Sequence, residues 1–201
     1  MAKIKICGLF RDCDAEYVNE AMPDFAGLIF YPKSHRFVSD EAAKRLRQRI
    51  DRKIQTVGVF VDDDPEHIGA LCKQGIIDII QLHGNESEDY IKKLRNDIVG
   101  AVIWKAFKIR DKSDVDKAMA STADSVVLDN GYGTGESFDW SQAEGFRRKF
   151  ILAGGLRPEN IKEAISRLRP WAVDLSSGVE TEKIKDLTKI KAAVAAAREI
   201  Q

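Results

Sequence analysis

The chain has 201 residues, of which 44% are apolar and 32% are charged, a composition typical of one globular domain with a sizeable core. Lysine plus arginine equals aspartate plus glutamate, 32 each, so no excess of charge argues for nucleic acid or an anionic membrane as a partner. The N-terminus lacks the apolar core of a signal peptide, and no run approaches the roughly 20 apolar residues of a membrane-spanning helix. We therefore expect a cytoplasmic protein.

The chain contains three cysteines, Cys7, Cys13 and Cys72. Their number is odd and none lies in a Cys-x-x-Cys pair, so neither a disulfide framework nor a thiolate zinc site is expected. A reducing compartment and the absence of a bound metal are the corresponding expectations.

Short apolar runs alternate with amphipathic segments along the whole chain. The predicted strands are Lys3–Gly8, Phe25–Phe30, Thr56–Val61, Ile76–Leu82, Val99–Phe107, Ser125–Asp129, a seventh of four residues before Gly154, and an eighth beginning near Trp171. The predicted helices are Asp12–Ala21 (capped by Asp12 or Asp14), Asp40–Ile50 (capped by Ser39), one starting at Pro65, one from the cap Ser87 to Arg95, Asp114–Ala120, Ser141–Phe146, one ending near Leu168, and Leu187–Ile200.

Eight strand–helix units in about 200 residues predict a parallel sheet with right-handed crossovers. The count of eight favours a single (β/α)8 TIM barrel that spans residues 1–201 as one catalytic domain, near the lower size limit of that fold. An open, doubly wound sheet is the alternative.

The last two predicted strands both end in loops of small residues. Gly154 and Gly155 follow the seventh strand, and Ser176-Ser177-Gly178 follows the eighth. Glycine lets backbone N–H groups approach a ligand, and the helix that Arg157-Pro158-Glu159-Asn160 opens offers further N–H groups and a partial positive charge. Phosphate commonly binds after strands 7 and 8 of such a barrel. The two loops therefore predict one shared phosphate site.

Two titratable side chains flank this predicted phosphate site. Cys7 ends the first strand, Asp129 ends the sixth, and strands six, seven, eight and one are contiguous around a closed barrel. A phosphorylated small molecule held there would have a thiol on one side and a carboxyl group on the other. Such groups act as an acid–base pair when their environments separate their proton affinities.

Several segments, in order over nearly the whole chain, carry a more specific pattern. They are Lys5-Ile6-Cys7-Gly8-Leu9, Phe30-Tyr31-Pro32-Lys33-Ser34 with Arg36, Val57-Gly58-Val59-Phe60-Val61, Gln81-Leu82-His83-Gly84, Phe138-Asp139-Trp140, Leu152-Ala153-Gly154-Gly155-Leu156 with Pro158-Glu159-Asn160, and Val173-Asp174 with Ser176-Ser177-Gly178-Val179-Glu180. Each segment alone is a weak signal. Together they resemble the signature of the phosphoribosylanthranilate isomerase family.

The resemblance implies an enzyme of tryptophan biosynthesis. It would convert N-(5'-phosphoribosyl)anthranilate to 1-(2-carboxyphenylamino)-1-deoxy-D-ribulose 5-phosphate by an Amadori rearrangement, without a cofactor. Carried over by position, Asp129 would be the general acid, the thiolate of Cys7 the general base, and Arg36 the partner of the anthranilate carboxylate. The other implied substrate-binding residues are His83, Gly154, Gly155, Asp174, Ser176, Ser177 and Gly178.

Some of these residues also have an ordinary structural interpretation. His83 is either a substrate neighbour or a polar side chain that fills the barrel mouth, and Asp174 organises the end of the eighth strand. Lys105 could line the barrel without a chemical role. Cys7 becomes a better base than a free thiol, whose pKa is about 8.5, if positive charge or backbone dipoles favour its thiolate.

The chain departs from the family pattern in its loops. His35 stands where proline commonly precedes the arginine, Tyr132 interrupts a usual pair of glycines, and Glu136 replaces the usual lysine or glutamine. These changes affect loop geometry and rate, and none replaces the implied acid or base.

Other functions remain open from the sequence. A sugar-phosphate epimerase would need a cluster of metal ligands, an indole-forming synthase would use lysine and glutamate in the barrel mouth, and a silent barrel would bind a phosphometabolite without turnover. Acceptance of the related aminoaldose of histidine biosynthesis is also open. We expect a monomer, with a homodimer as the alternative.

Overall fold

The computed structural model describes residues 1–129 and 140–199. The predicted Gly-rich loop at 130–135, which contains Tyr132, and the following Glu136 lie outside the described residues. The eight barrel strands, β1 to β8, are Lys3–Cys7, Phe25–Ile29, Gln55–Phe60, Ile79–Leu82, Ile103–Lys108, Ser125–Asp129, Phe150–Leu152 and Ala172–Leu175. The helices α1 to α7 are Asp12–Ala21, Asp40–Arg49, Pro65–Lys73, Glu88–Asp97, Lys112–Ala120, Ile161–Leu168 and Leu187–Arg198. No helix in these ranges is both long and apolar enough to cross a membrane.

The eight strands form a closed parallel barrel in sequence order, in which β8 pairs with β1. Lys5 is in register with Asp174 across that last junction, and Ile6 with Leu175. The (β/α)8 barrel predicted from the sequence is therefore confirmed, and the open sheet is excluded.

Side chains alternate between two apolar cores because successive residues of a strand point to opposite faces. The larger core lies between strands and helices and includes Ile4 and Ile6 of β1. The smaller core fills the barrel below the cavity, where the Trp104 ring contacts Phe25 and Trp171 edge-on at centroid distances of 5.1 and 5.9 Å. This aromatic floor closes the barrel, so a ligand can enter only at the opposite end.

Most predicted bounds agree with the observed ones to within two residues, and three predicted elements differ by more than that or in type. β4 begins at Ile79 instead of Ile76, because the N–H of Ile76 still bonds to the carbonyl of Leu71 at the end of α3. β5 begins at Ile103 instead of Val99, which lies in a turn and is 98% exposed. The predicted helix Ser141–Phe146 is observed as a 3₁₀ helix, Trp140–Ala143. The backbone hydrogen bonds of this segment run from an N–H to the carbonyl three residues earlier.

Helix caps follow the sequence rules closely. The hydroxyls of Ser39 and Ser87 accept the backbone N–H of the residue three positions on, as predicted. At α1 the N-cap is Arg11, and Asp14, three residues into the helix, accepts the N–H of Arg11 at 2.9 Å. Neither predicted candidate, Asp12 or Asp14, is the N-cap residue, although the side chain of Asp14 takes part in the capping box.

A small hairpin that the sequence did not predict follows a second 3₁₀ helix at Ser177–Val179. Its strands, β9 and β10, are Glu180–Thr181 and Ile184–Lys185. Glu182 and Lys183 form the two-residue turn with φ of 52° and 65°, although neither is glycine. The turn brings Glu180 and Lys185 side by side at the mouth of the barrel.

Candidate active site

A cavity of about 520 Å³ opens at the carboxyl ends of the strands. It includes every site residue predicted from the sequence except Gly178. The lining residues are Cys7, Ile29, Tyr31, Ser34, Arg36, Val59, Val61, Gln81, His83, Asp129, Ala153, Gly154, Gly155, Leu156, Asp174, Ser176 and Ser177.

Cys7 ends β1 with its thiol in the cavity wall and is only 7% exposed. Gly27 of β2 lies directly behind it: a Cβ at this glycine would stand 2.8 Å from Cys7 Sγ and 3.1 Å from Lys5 Cε. Only a residue without a side chain fits there. The thiol and the lysine therefore pack side by side on the backbone of β2.

Burial raises the pKa of the Cys7 thiol, and the negative charge of Asp174 raises it further. The positive charge of Lys5 lowers it without cancelling the effect of burial. The raised pKa favours the thiol over the thiolate in the free protein, so the role of Cys7 as a base depends on groups that offset burial.

Lys5 is a residue whose role sequence reasoning missed. Its side chain is completely buried, and its Nζ lies 2.8 Å from Asp174 Oδ2. Burial lowers the pKa of Lys5, but attraction to Asp174 and Cys7 outweighs it, so the pKa is raised and the ammonium stays charged. The signal was present in the alternation of β1, where Lys5 and Cys7 share the face that points into the barrel.

Asp129 lies at the end of β6 on the other side of the two small-residue loops. His83 Nε2 lies 3.2 Å from Asp129 Oδ2, and the two side chains are 37% and 14% exposed. The backbone of His83 is fixed by a bond from its N–H to the carbonyl of Phe60. His83 is thus a neighbour of the carboxyl group in the cavity wall.

Arg36 is held at the cavity mouth by an internal carboxylate. Its Nε and Nη2 donate to the two oxygens of Glu180 at 2.6 and 2.7 Å, and Lys185 Nζ donates to Glu180 Oε1 at 2.5 Å. Burial raises the pKa of Glu180, but these two cations lower it overall. Gly8, at φ +80°, makes room for the arginine, because a Cβ there would lie 2.4 Å from Arg36 Cδ. Glu180 is a second residue that the sequence analysis left without a role.

The loop after β7 has the backbone that an anion requires. Gly154 and Gly155 have φ of 87° and 65°, and among the described residues their N–H groups have no hydrogen-bond acceptor. Successive free N–H groups in such a turn form a concave anion site. The start of α6, by contrast, does not reach the cavity: the N–H groups of Asn160 and Ile161 bond to the carbonyl of Arg157. That part of the predicted phosphate site is wrong.

The loop after β8 contributes differently at each position. Ser177 lines the cavity, and Ser176 does so while its hydroxyl donates to the carbonyl of Cys7 at 3.1 Å. Gly178 lies behind the loop, where a Cβ would stand 1.9 Å from the carbonyl oxygen of Leu156. Gly178 therefore joins the two loops and does not line the cavity.

The remaining charged residues near the rim are mostly paired with one another. Lys105 Nζ bonds to Glu86 Oε2 at 2.8 Å and to the carbonyl of Gly84, which fixes the loop that carries His83. Gln81 lines the cavity, and its buried Oε1 has no partner among the described residues. Within 1–129 and 140–199, no group of three or more histidine, cysteine or acidic side chains is arranged to hold a metal ion.

The fold and the cavity at the carboxyl ends of its strands place the chain in the class of (β/α)8-barrel enzymes. The family model of N-(5'-phosphoribosyl)anthranilate isomerase matches residues 4–196. A protein of that name from Thermoanaerobacter sp. (strain X514) is 42% identical over 208 aligned positions that cover both chains completely. The chain belongs to the N-(5'-phosphoribosyl)anthranilate isomerase family.

Solved structures agree with this assignment. The barrel superposes on phosphoribosyl anthranilate isomerase from Thermotoga maritima with a TM-score of 0.91 and 35% identity over the full length of both chains. The Thermotoga maritima protein is described as dimeric. A phosphoribosyl anthranilate isomerase in complex with reduced 1-(o-carboxyphenylamino)-1-deoxyribulose 5-phosphate matches with a TM-score of 0.88 and 34% identity, again over both full chains.

Proposed function

We propose that the chain catalyses the Amadori rearrangement of N-(5'-phosphoribosyl)anthranilate in tryptophan biosynthesis. The observation that carries this proposal is one cavity with a thiol, Cys7, and a carboxyl group, Asp129, on either side of two small-residue loops. The complex of a family member with a reduced form of the rearranged product supports the same substrate class.

The substrate has two anionic ends, and the cavity offers a separate cationic or N–H-rich region for each. The phosphate would bind the free N–H groups of Gly154 and Gly155, with Ser176 and Ser177 beside it. The anthranilate carboxylate would bind Arg36, because Glu180 occupies Nε and Nη2 and leaves Nη1 of the guanidinium for a second acceptor. The sugar would then lie between the acid and the base.

The reaction needs one proton donor and one proton acceptor. Asp129 gives its proton to the ring oxygen as the bond from that oxygen to C1′ breaks, which leaves a protonated Schiff base between C1′ and the anthranilate nitrogen. The thiolate form of Cys7 then removes the proton from C2′ and becomes the thiol, and the electron pair of the C–H bond moves into a C1′–C2′ double bond to form an enolamine. Tautomerisation returns a proton to C1′ and gives the ketone, so the product is an isomer of the substrate.

Substitution of the two groups tests the proposal. We expect Cys7→Ala and Asp129→Asn each to lower kcat by about 10²–10⁴-fold, the usual contribution of one acid or base. An anaerobic fluorescence assay of anthranilate-linked substrate measures this. Cys13→Ala is the matched control, because Cys13 lies on α1 outside the cavity lining. Wild-type turnover by Cys7→Ala would refute the assignment of the base.

The competing functions give different results in the same assay. Turnover that survives EDTA supports a reaction without a metal, whereas its loss would favour a metal-dependent epimerase. Binding of the reduced product analogue without turnover would indicate a silent barrel. Complementation of a tryptophan auxotroph blocked at this one step would establish the substrate in the cell.

We also infer that residues 1–201 act as one catalytic domain, because the C-terminal helix α7 packs back on β1 and α1 at the start of the chain. A single cooperative unfolding transition would support this inference. The monomeric state and the cytoplasmic location stay predictions, which sedimentation and cell fractionation would test.

A further inference from the structure

A lysine with no assigned role lies beneath the proposed base. Lys5 is two residues before Cys7 on β1, and both side chains rest on the backbone of Gly27. The ammonium group donates to Asp174 Oδ2 at 2.8 Å, and the lysine side chain lies beside the Cys7 thiol over Gly27. We propose that Lys5, anchored by Asp174, is a positioning residue that makes the Cys7 thiolate accessible during turnover.

The geometry of the barrel places the buried side chain of Lys5 next to Asp174. Its side chain is 0% exposed, and the register across the β1–β8 junction sets Lys5 directly opposite Asp174. A buried ammonium group without a partner is strongly unfavourable, so the lysine stays on its carboxylate. The same contact keeps the ammonium group near the sulfur, where its positive charge favours the charged form of the thiol.

The charged groups that act on Cys7 come from three strands. Lys5 belongs to β1, Asp174 to β8 and Lys185 to β10. Lys185 is already bound to Glu180 and to the carbonyl of Ser176, and it acts on the thiol without a hydrogen bond. Lys5 is therefore the cation with the larger effect on the thiol, and its charge is completely buried.

Lys5 and Asp174 act on the thiol in opposite directions. The lysine lowers the pKa of Cys7, and the aspartate raises it. Loss of either residue would disturb the packing in a similar way, since each leaves its partner buried and unpaired. The two losses differ in the sign of their effect on the thiol, and this difference separates a role in thiolate formation from a structural role.

The test measures alkylation of Cys7 by iodoacetamide as a function of pH, on the full chain without substrate. The rate follows the thiolate fraction, which changes tenfold for each unit of pKa below the midpoint. Mass analysis of the tryptic peptide that ends at Arg11 separates Cys7 from Cys13 and Cys72. We expect Lys5→Met to slow alkylation near pH 8 by about tenfold, and Asp174→Asn to accelerate it.

Two double variants keep the test decisive if a single variant does not fold. Lys5→Met/Asp174→Asn buries no unpaired charge and is expected to alkylate more slowly than Asp174→Asn or the wild type. Lys105→Met/Glu86→Gln removes a buried ion pair that is not among the groups acting on Cys7, and it is expected to leave the pH dependence of Cys7 alkylation unchanged. Equal rates in all variants, or slower alkylation in both single variants, would overturn the proposal.

The inference rests on the proposed function only for the statement that the Cys7 thiolate acts as the base during turnover. The alkylation assay contains no substrate, so its outcome does not depend on which reaction the chain catalyses. If turnover of N-(5'-phosphoribosyl)anthranilate were absent while the alkylation shifts held, the proposed function would fail and the role of Lys5 would stand.

Discussion

Among the buried lysine–carboxylate pairs of the described residues, Lys5–Asp174 and Lys105–Glu86 have the same separation of 2.8 Å. Glu86 is fully used: its oxygens also accept the N–H groups of Asp62 and Gly84. Asp174 has one oxygen on Lys5, while Oδ1 has no partner among the described residues, and the side chain lines the cavity.

This difference in hydrogen bonding distinguishes a structural ion pair, Lys105–Glu86, from an ion pair in the wall of the candidate active site, Lys5–Asp174. Lys105–Glu86 joins the loops after β3 and β4 and leaves no polar group to spare, so it holds the rim rigid. Lys5–Asp174 has a thiol on one side and an unpaired oxygen on the other. A buried oxygen at a cavity wall that no protein donor satisfies is available to accept a hydrogen bond from the cavity side.

The largest effect on stability is expected from removing one member of the Lys105–Glu86 pair. Lys105→Met leaves the Glu86 carboxylate buried with no cation, and the free energy of unfolding should fall by about 3–5 kcal/mol. Urea denaturation measures this, with the exposed Lys73 of α3, changed to methionine, as the control. An unchanged urea midpoint would show that the two lysine pairs do not differ in the way described above.

A smaller effect is expected at the ion pair between Arg36 and Glu180 at the cavity mouth, where the arginine side chain is 13% exposed. Glu180→Gln keeps the shape of the side chain but weakens its hold on Arg36, so we expect KM to rise about tenfold while kcat stays within about twofold. Glu182→Gln, on the exposed turn of the same hairpin, is the control. A fall in kcat with unchanged KM would mean that Glu180 acts on the chemistry and not on Arg36.

The smallest effect is expected at His67, a partly exposed side chain on the outside of the barrel that contacts two carboxylates. His67 lies 3.0 Å from both Asp40 and Asp63; partial burial lowers its pKa, but these hydrogen bonds outweigh it and raise the pKa above 6.5. A raised histidine pKa stabilises the fold at low pH, and this stabilisation is lost as pH rises through the folded value. The loss should be under about 1 kcal/mol, since the side chain is partly solvated.

Urea midpoints measured between about pH 6 and pH 9 test this third prediction. His67→Gln should flatten the dependence. His35→Gln is the contrasting control, because burial and the charge of Arg36 lower the pKa of His35, so its contribution has the opposite sign. An unaltered slope in His67→Gln would remove His67 as its source.

Much of the site could be predicted because strand ends of a parallel barrel meet on one face. Cys7 and Asp129 were identified as the last residues of their strands, and Gly154 and Gly155 as glycines that follow one. Residues whose role depends on a partner distant in sequence were missed. Nothing near Glu180 indicates a bidentate contact with Arg36, 144 residues away.

Gly178 illustrates the same limit from the other side. Its place in a small-residue loop predicted a glycine beside a phosphate, and that contact stays a prediction. The structure shows another constraint, because a Cβ there would stand 1.9 Å from the carbonyl oxygen of Leu156 in the neighbouring loop. A single sequence cannot distinguish these causes, because both exclude a Cβ.

The sequence by itself determined the barrel, its order of strands and the face that carries the chemistry, because these follow from local periodicity and from the geometry of parallel strands. Only the tertiary structure decided which charges meet inside the barrel. The state of the Cys7 thiol depends on burial, on Lys5 and on Asp174 from the last strand, and that balance exists only once the eighth strand has closed against the first.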